Sequence, residues 1–240
     1  MRRREKPNQA AFLLLAELLR SDRLPPITLG FIALNTIIYL ELFEINYPGL
    51  GSVCLSANFL IRNRDWKRLI LSHFFHGDDW HLYYNMISFS VKGRSLERRH
   101  GSVYFLFLLI IFTVCCSFMY ILIELFAFYA LGFTSSLSNC SVGFSAVIFA
   151  LKVLTTHDLP EGTILAFNLI PVPSKYAYWA ELVLISLVTP QASFAGHLAG
   201  ILVGLLYIYG PLDRIINKLA QTFNQRTNRR PRFYTNNHYD

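Results

Sequence analysis

The sequence is poor in charge and has no cysteines at the spacing of a metal or redox motif. Charged residues make up 15% of the 240 residues, 53% are hydrophobic, and the mean hydropathy is +0.37. A soluble core needs less apolar sequence, so the composition indicates an integral membrane protein. The four cysteines form no C-x-x-C, which argues against a zinc ribbon or a dithiol redox motif. The sequence leaves open whether Cys54 and Cys140 pair.

The net charge of +7 would suggest a nucleic-acid partner in a soluble protein. Here the basic residues gather at the ends of apolar segments, where they set the orientation in the membrane. The "KGRSLERR" loop and both ends of the chain then lie on one side, which the positive charge predicts to be cytosolic. We therefore expect no nucleic-acid partner, and both termini in the cytosol.

Apolar segments of about 20 residues are long enough to cross a bilayer. Six are predicted, at 27–44, 81–97, 103–126, 143–157, 176–190 and 194–210. The sequence thus predicts an all-α polytopic membrane protein in which residues 27–210 form a six-helix bundle. Residues 1–26 have a basic start and a short apolar run, which favours an amphipathic helix lying in the interface on the cytosolic side. Residues 211–240 are polar and basic, and we expect a disordered cytosolic tail.

The second, fourth and sixth segments each carry polar residues near the end that faces away from the cytosol. These residues are His81, Asn85, Ser145 and His197. Polar groups in lipid are costly unless they face the bundle interior or water, so their common depth predicts one polar cavity open to the non-cytosolic side. A serine, a histidine able to take its proton and two further donors able to hold an oxyanion indicate a serine hydrolase.

Small residues explain how the last segment would approach the fourth. Gly196, Gly200 and Gly204 repeat every four residues and form a smooth helix face on which another helix can pack closely. This packing would bring His197 within hydrogen-bond reach of Ser145. Phe149, one turn after Ser145, would stack on the imidazole.

At these motifs the chain resembles the rhomboid intramembrane serine proteases. "GFSA" around Ser145 is similar to that family's nucleophile motif, "GHLAGILVG" to its histidine helix and "HLYYN" to its histidine-x-x-x-asparagine helix. "LERRHGS" and Trp66 in the first loop also fit, and the resemblance covers residues 27–210. It implies a rhomboid-like six-helix bundle. The implied site has Ser145 as nucleophile and His197 as general base, His81 and Asn85 as oxyanion donors, and Gly143, Phe149, Gly196 and Gly200 as supporting residues.

The resemblance also implies partners and a location. The substrates would be transmembrane helices of membrane-protein clients within the lipid bilayer, and no cofactor or metal would take part. The motif sequences most resemble those of one branch of the family. That branch is located in the endoplasmic reticulum and acts in quality control. Members of that branch carry ubiquitin- and segregase-binding motifs in a cytosolic tail, and no such motif is seen before Asp240.

Two other functions are compatible with parts of the sequence. "HFFHGDDWH" offers His73, His76, Asp78 and Asp79 as ligands for zinc or iron, but no H-E-x-x-H motif accompanies them. The second alternative is an inactive rhomboid-fold protein that binds and dislocates clients. Glu124 and Glu181 are not assigned to the site, because the family works with a dyad.

The chain departs from the family pattern at two places. Ala146 replaces the glycine that usually follows the nucleophile. We expect its methyl group to hold the two helices apart and to lengthen the Ser145–His197 contact, so that Ala146→Gly would raise turnover. In the first loop the usual tryptophan-arginine pair becomes Trp66-Lys67-Arg68, which leaves the hydrogen bonding of that loop undetermined.

Overall fold

A computed structural model of the protein describes residues 9–20, 23–43, 46–157, 159, 162–166 and 170–228. The described residues are mainly helical. The helices are α1 (Gln9–Arg20), α2 (Pro26–Leu40), α3 (Leu50–Val53), α4 (Ala57–Asn63), α5 (Arg68–Leu71), α6 (Asp79–His100), α7 (Ser102–Tyr129), α8 (Ser145–His157), α9 (Ala177–Val188), α10 (Phe194–Tyr209) and α11 (Leu212–Asn228). One antiparallel hairpin, β1 (Thr163–Ala166) and β2 (Ile170–Pro173), lies between α8 and α9, with Thr163 opposite Pro173.

The six apolar segments predicted from the sequence correspond to α2, α6, α7, α8, α9 and α10, with ends that agree within a few residues. By length and composition alone, α7 is the one helix in the described part of the chain that could cross a bilayer. Helix α10 passes the same test only together with α11, as one segment bent by 74°. The six predicted segments are therefore helical, as expected. That all six cross the membrane stays a prediction.

Capping residues fix where the two histidine-bearing helices begin. The Asp78 carboxylate accepts a hydrogen bond from the His81 N–H at 2.8 Å, at the start of α6. The Ser193 hydroxyl accepts from the Gly196 N–H at 3.0 Å, at the start of α10. Each cap satisfies an N–H group that has no partner within its own helix. As a result, His81 and His197 both lie in the first turns of their helices.

Helix α8 is the most buried helix of the described bundle and packs against α6, α7, α9 and α10. The largest fully buried side chains of the bundle are aromatic and include Phe89, Phe105, Phe112 and Phe144. Helices α8 and α10 approach most closely at Gly200, where an added Cβ would collide with the carbonyl oxygen of Ala146. At Gly204 it would lie 2.7 Å from Val153 Cβ. The glycine repeat thus allows the helix contact predicted from the sequence.

Helix α1 does not lie across one end of the bundle, as the amphipathic pattern suggested, but along α6. The N–H groups of Ala10 and Ala11 donate to the buried Asp79 carboxylate at 2.7 and 3.0 Å. Near the other end of α6, Arg98 donates to the carbonyl of Arg23 at 2.9 Å. Ala10, Ala11 and Leu14 of α1 are buried, whereas Phe12 and Leu19 on the rest of its surface are exposed. The structure thus places this segment beside α6, and its position relative to the membrane surface stays a prediction.

Helix α11 is the second difference, because it occupies residues that were expected to be disordered. Ile216 and Ala220 are buried, the Phe223 ring lies 5.9 Å from that of Phe107, and Asp213 accepts a hydrogen bond from Tyr104 at 2.7 Å. These few apolar residues recur with a helical period. The segment is otherwise polar, and its composition therefore suggested disorder. Helix α11 lies at the opposite end of the bundle from Gln9, where α1 starts. Residues 1–8 and 229–240, on which the expected positions of the termini depend, lie outside the described residues.

Candidate active site

The segment that leads into Ser145 is fixed by the loop between α2 and α6. A disulfide joins Cys54 in this first loop to Cys140. Next to it, Leu55 and Ser141 exchange two backbone hydrogen bonds, of 2.8 and 2.9 Å. The Gly143 N–H then donates to the Ser72 carbonyl at 2.8 Å. Three successive links therefore hold the backbone just before α8 against the first loop.

Arg68 organises the first loop from within. Its guanidinium is buried and donates to the carbonyls of Gly51 and Cys54 at 3.0 and 2.7 Å and to the Asp65 carboxylate at 2.9 Å. Several short, charge-assisted hydrogen bonds from one planar group give a rigid loop. Trp66, by contrast, is exposed. The structure thus answers the question raised by the Trp66-Lys67-Arg68 sequence: Arg68 makes the internal hydrogen bonds.

Ser145 and His197 meet where α8 and α10 come together. The His197 Nε2 atom lies 3.0 Å from the Ser145 Oγ, within hydrogen-bond distance. The Phe149 ring stacks on the imidazole at a centroid distance of 4.5 Å and an interplanar angle of 24°. The other ring nitrogen, Nδ1, is buried with no hydrogen-bond partner in the described part of the chain. The geometry is that of a serine–histidine pair oriented by an aromatic ring.

His81 and Asn85 face the same pair from α6. A Cβ added at Gly143 would lie 2.7 Å from His81 Nε2 and 3.5 Å from Asn85 Nδ2. The Gly77 N–H donates to His81 Nδ1 at 3.4 Å, which favours the tautomer with its proton on Nε2. Asn85 Nδ2 is buried and has no partner among the described residues. Two N–H donors therefore point towards the backbone two residues before Ser145.

Gly143 and Gly196 let these groups come close together. The φ angle of Gly143 is +112°, in the region that side chains disfavour, and any side chain there would overlap the His81 ring. At Gly196 a Cβ would lie 3.2 Å from the Ser193 hydroxyl and 3.4 Å from the Ser141 hydroxyl. The packing around Ser145 and His197 thus requires Gly143 and Gly200, whereas a side chain at Gly196 would make only tight contacts with its neighbours.

A small cavity opens beside Ser145 at the end of the bundle that carries the first loop. The volume that water can occupy in this cavity is about 20 Å³, enough for roughly one water molecule. The lining residues that bear polar side chains are Ser72, His73, Ser117, Tyr120, Ser141 and Ser145. Because hydroxyls and a ring nitrogen surround this space, it is suited to hold water next to the serine.

Ala146 does not lengthen the contact between serine and histidine, contrary to the sequence-based expectation. The Ser145–His197 distance is 3.0 Å with Ala146 in place. The α8–α10 contact is relieved by Gly200, which faces the Ala146 carbonyl. Ala146 instead borders the small cavity.

If the chain cleaves peptide bonds, as the resemblance implies, Ala146→Gly should leave the cleavage rate within about threefold of the wild type, since Ser145 and His197 are already in contact. Initial rates of cleavage, measured with equal amounts of folded protein, test this. A rise of tenfold or more would show that the methyl group does hold the helices apart.

Most of the other ionisable residues considered from the sequence have contacts outside the Ser145–His197 pair, and His73 borders the small cavity beside Ser145. Asp79 receives the α1 N–H groups, and Glu124 accepts from Asn139 at 3.2 and 3.3 Å. Burial lowers the pKa of His73 to about 4 and that of His76 well below its usual range. The His76 ring packs edge-on against His81 at 5.0 Å. Within the described ranges, no group of three or more such side chains could hold a metal ion.

The fold and this site agree with the result of sequence comparison. The rhomboid domain family matches residues 63–214, and the chain belongs to the rhomboid family of membrane proteins. It is 43% identical to Rhomboid-related protein 4 of Mus musculus over 226 residues, which cover 92% of this chain and 70% of the relative.

Two further relatives are less similar to the chain. The chain is 35% identical to Rhomboid-like protein 14, mitochondrial, of Arabidopsis thaliana, over 81% of this chain and 58% of the relative. It is 26% identical to Rhomboid-type serine protease 2 of Yarrowia lipolytica, over 80% of this chain and 62% of the relative. The similarity extends over most of the chain in each case.

The sequence left open whether Cys54 and Cys140 form a disulfide, because the spacing of cysteines along a chain does not determine which of them pair. We expect Cys54→Ser or Cys140→Ser to destabilise the protein by about 2–4 kcal/mol, because a loop of many residues would lose its closure. Thermal unfolding in detergent should show the same shift for either variant and for reduced wild type. Cys115→Ser is the matched control, since Cys115 is free. Equal midpoints for Cys140→Ser and Cys115→Ser would contradict this expectation.

Proposed function

We propose that the protein is an intramembrane serine endopeptidase that cleaves transmembrane helices of membrane-protein clients. The observation that carries the proposal is the 3.0 Å contact between Ser145 Oγ and His197 Nε2, with the donors of His81 and Asn85 facing the same point. A packing serine would need neither a stacked histidine nor unpaired donors around it. Membership of a family that includes a serine protease by name supports the same conclusion.

In the acylation step, the Ser145 oxygen attacks the scissile carbonyl carbon while His197 Nε2 takes the hydroxyl proton. The tetrahedral intermediate collapses, the C–N bond breaks, and the protonated His197 gives its proton to the leaving amine. The stack with Phe149 keeps the imidazole in place through both transfers. No carboxylate among the described residues reaches His197 Nδ1, so the pair works as a dyad.

Three donors hold the negative charge on the carbonyl oxygen: the His81 Nε2–H, the Asn85 side-chain amide and the Ser145 backbone N–H. The Asn85 amide has no partner among the described residues, and the Ser145 N–H, at the start of α8, has no acceptor within its own helix. Donors placed before the reaction need no reorganisation when charge develops, and each contributes strongly in a site from which bulk water is excluded.

Hydrolysis of the acyl-enzyme requires water inside a bilayer, and the small cavity beside Ser145 supplies a place for it. His197 takes a proton from this water, whose oxygen attacks the ester carbon, and Ser145 leaves with a proton from His197. The cavity lies on the side of the first loop. This arrangement supports entry of water from the non-cytosolic face.

The proposed location is the membrane of the endoplasmic reticulum, with the site on the lumenal side. The Cys54–Cys140 disulfide is stable in an oxidising compartment, which the cytosol is not. The similarity to Rhomboid-related protein 4 favours a role in quality control of membrane proteins. The clients would be helices that unwind readily near Ser145, because a regular helix hides its carbonyl carbon within its backbone hydrogen bonds.

A reconstitution assay tests the proposal. The purified chain is placed in vesicles with a client helix that carries fluorophores on both sides of the bilayer, and cleavage is followed by fluorescence and by product mass. Labelling with a fluorophosphonate, which modifies activated serines, gives a second measurement. We expect cleavage and labelling by wild type, neither by Ser145→Ala, and no effect of a metal chelator.

The alternative, a client-binding protein without activity, gives a different result in the same assay. Client binding would then be retained, with no cleavage and no labelling of Ser145. Loss of cleavage in chelator, with recovery on addition of zinc, would instead indicate a metalloenzyme.

A further inference from the structure

Three ionisable residues lie deeper in the bundle than the site, on the helices that surround it. Lys92 is on α6, Lys152 on α8 and Glu181 on α9. Lys92 follows Asn85 by seven residues, and Lys152 follows Ser145 by seven residues. Seven residues are about two helical turns, or about 10.5 Å. Both lysines therefore lie on the site-facing sides of their helices, about two turns below the proposed oxyanion donor and nucleophile.

Only one of the two lysines has a carboxylate partner within the described part of the chain. Lys152 Nζ lies 2.6 Å from Glu181 Oε1, and their side chains are 16% and 17% exposed. Lys92 Nζ donates to the Ser88 hydroxyl at 2.8 Å, and no ion pair of Lys92 is found in the described structure. Lys92 is close enough to Glu181 and Lys152 for their charges to act on it, so the three residues form one cluster, which carries a net charge of +1 when both lysines are protonated.

This surplus charge is unusual for a membrane interior. An ionised side chain in a bilayer is costly unless an opposite charge or water compensates it, and such residues mark functional sites more often than structural ones. Glu181 is already paired, and the Ser88 hydroxyl is neutral. The chemical group that would complete the cluster is a carboxylate.

We propose that Lys92 determines client specificity by binding an aspartate or glutamate side chain of the client helix. The acid would lie about seven residues to the cytosolic side of the scissile bond, because a helix rises about 1.5 Å per residue and Lys92 lies two turns below Asn85. This inference rests on the proposed protease function and names the client class for that same site.

Clients that differ at one position test the inference. Two client helices are compared in phosphatidylcholine vesicles. They are identical except that one carries glutamate and the other glutamine, seven residues to the cytosolic side of the scissile bond. We expect the wild type to prefer the glutamate client by about tenfold in kcat/KM, which corresponds to about 1.4 kcal/mol. In Lys92→Met the ratio should fall to about one. Lys175→Met, which removes an exposed lysine outside the cluster, is the matched control and should keep the preference.

Charge reversal keeps the test decisive if Lys92→Met folds poorly. Lys92→Glu should prefer a client with lysine at the same position over the glutamate client, whereas Lys92→Arg should keep the wild-type order. A ratio near one in the wild type, or an unchanged ratio in Lys92→Met, would overturn the inference.

Two further results have distinct meanings. If the ratio depends on added anionic lipid and not on the client residue, Lys92 binds a lipid headgroup and the inference is wrong. If the wild type cleaves neither client, the proposed function itself fails, which is separate from a failure of the client preference.

Discussion

Ser145→Ala and His197→Ala should each reduce client cleavage by at least a thousandfold while the protein remains folded in the membrane. The two side chains form one unit through the 3.0 Å contact, in which the serine is a weak nucleophile without the histidine. Removing either group leaves only the binding of the client and the oxyanion donors. The measurement is the initial rate of cleavage in vesicles, normalised to the amount of folded protein.

The double variant sharpens this expectation. Because the two residues act together, Ser145→Ala/His197→Ala should lose about as much activity as either single variant, not the product of the two losses. Ser186→Ala is a suitable control, since Ser186 is on α9 and its hydroxyl donates to the Leu182 carbonyl of its own helix at 2.7 Å. Wild-type cleavage by the serine variant would disprove the assignment of Ser145.

Asn85→Ala should lower kcat by about a hundred- to a thousandfold and change KM little. The Asn85 amide is buried next to Gly143 and has no partner within the described residues, so it is free for a charge that develops only during the reaction. Loss of one oxyanion donor has an effect of about this size. Steady-state kinetics with a client of known cleavage site separate the two constants.

Asn58→Ala serves as the matched control for the asparagine prediction. The Asn58 amide donates to the Ser138 hydroxyl at 3.0 Å in an exposed part of the first loop, and its removal should change kcat by less than threefold. If Asn85→Ala raised KM and left kcat unchanged, Asn85 would contribute to client binding and not to the oxyanion.

Helical period and motif spacing were sufficient to predict the helices of the bundle and the residues that meet in the site. His81, Asn85, Ser145 and His197 occupy the same end of three helices, and the glycine repeat allows α10 to bring His197 to Ser145. These features are local in sequence. A side chain's depth and face follow from its position in a helix.

Features that depend on distant contacts could not be derived in the same way. The position of α1 is set by hydrogen bonds to Asp79, about 70 residues away, and α11 forms on residues whose polar composition suggested disorder. Part of the cluster of Lys92, Lys152 and Glu181 could have been predicted from the sequence. Lys92 follows Asn85, and Lys152 follows Ser145, by seven residues, which places both lysines below the site. The ion pair between Lys152 and Glu181 could be seen only in the structure.

Helix α6 carries a buried carboxylate at each end, and each one caps another helix. Asp79 accepts from the start of α1, while Glu97 accepts from the Ile27 and Thr28 N–H groups at the start of α2, at 2.9 and 2.7 Å. Neither carboxylate can be satisfied in this way until α1 and α2 have docked. During synthesis those two helices leave the ribosome before α6 does. We therefore expect the polar helix α6 to integrate into the bilayer together with α1 and α2. Deleting α1 should then reduce the amount of correctly inserted protein, whether or not the active site itself is affected.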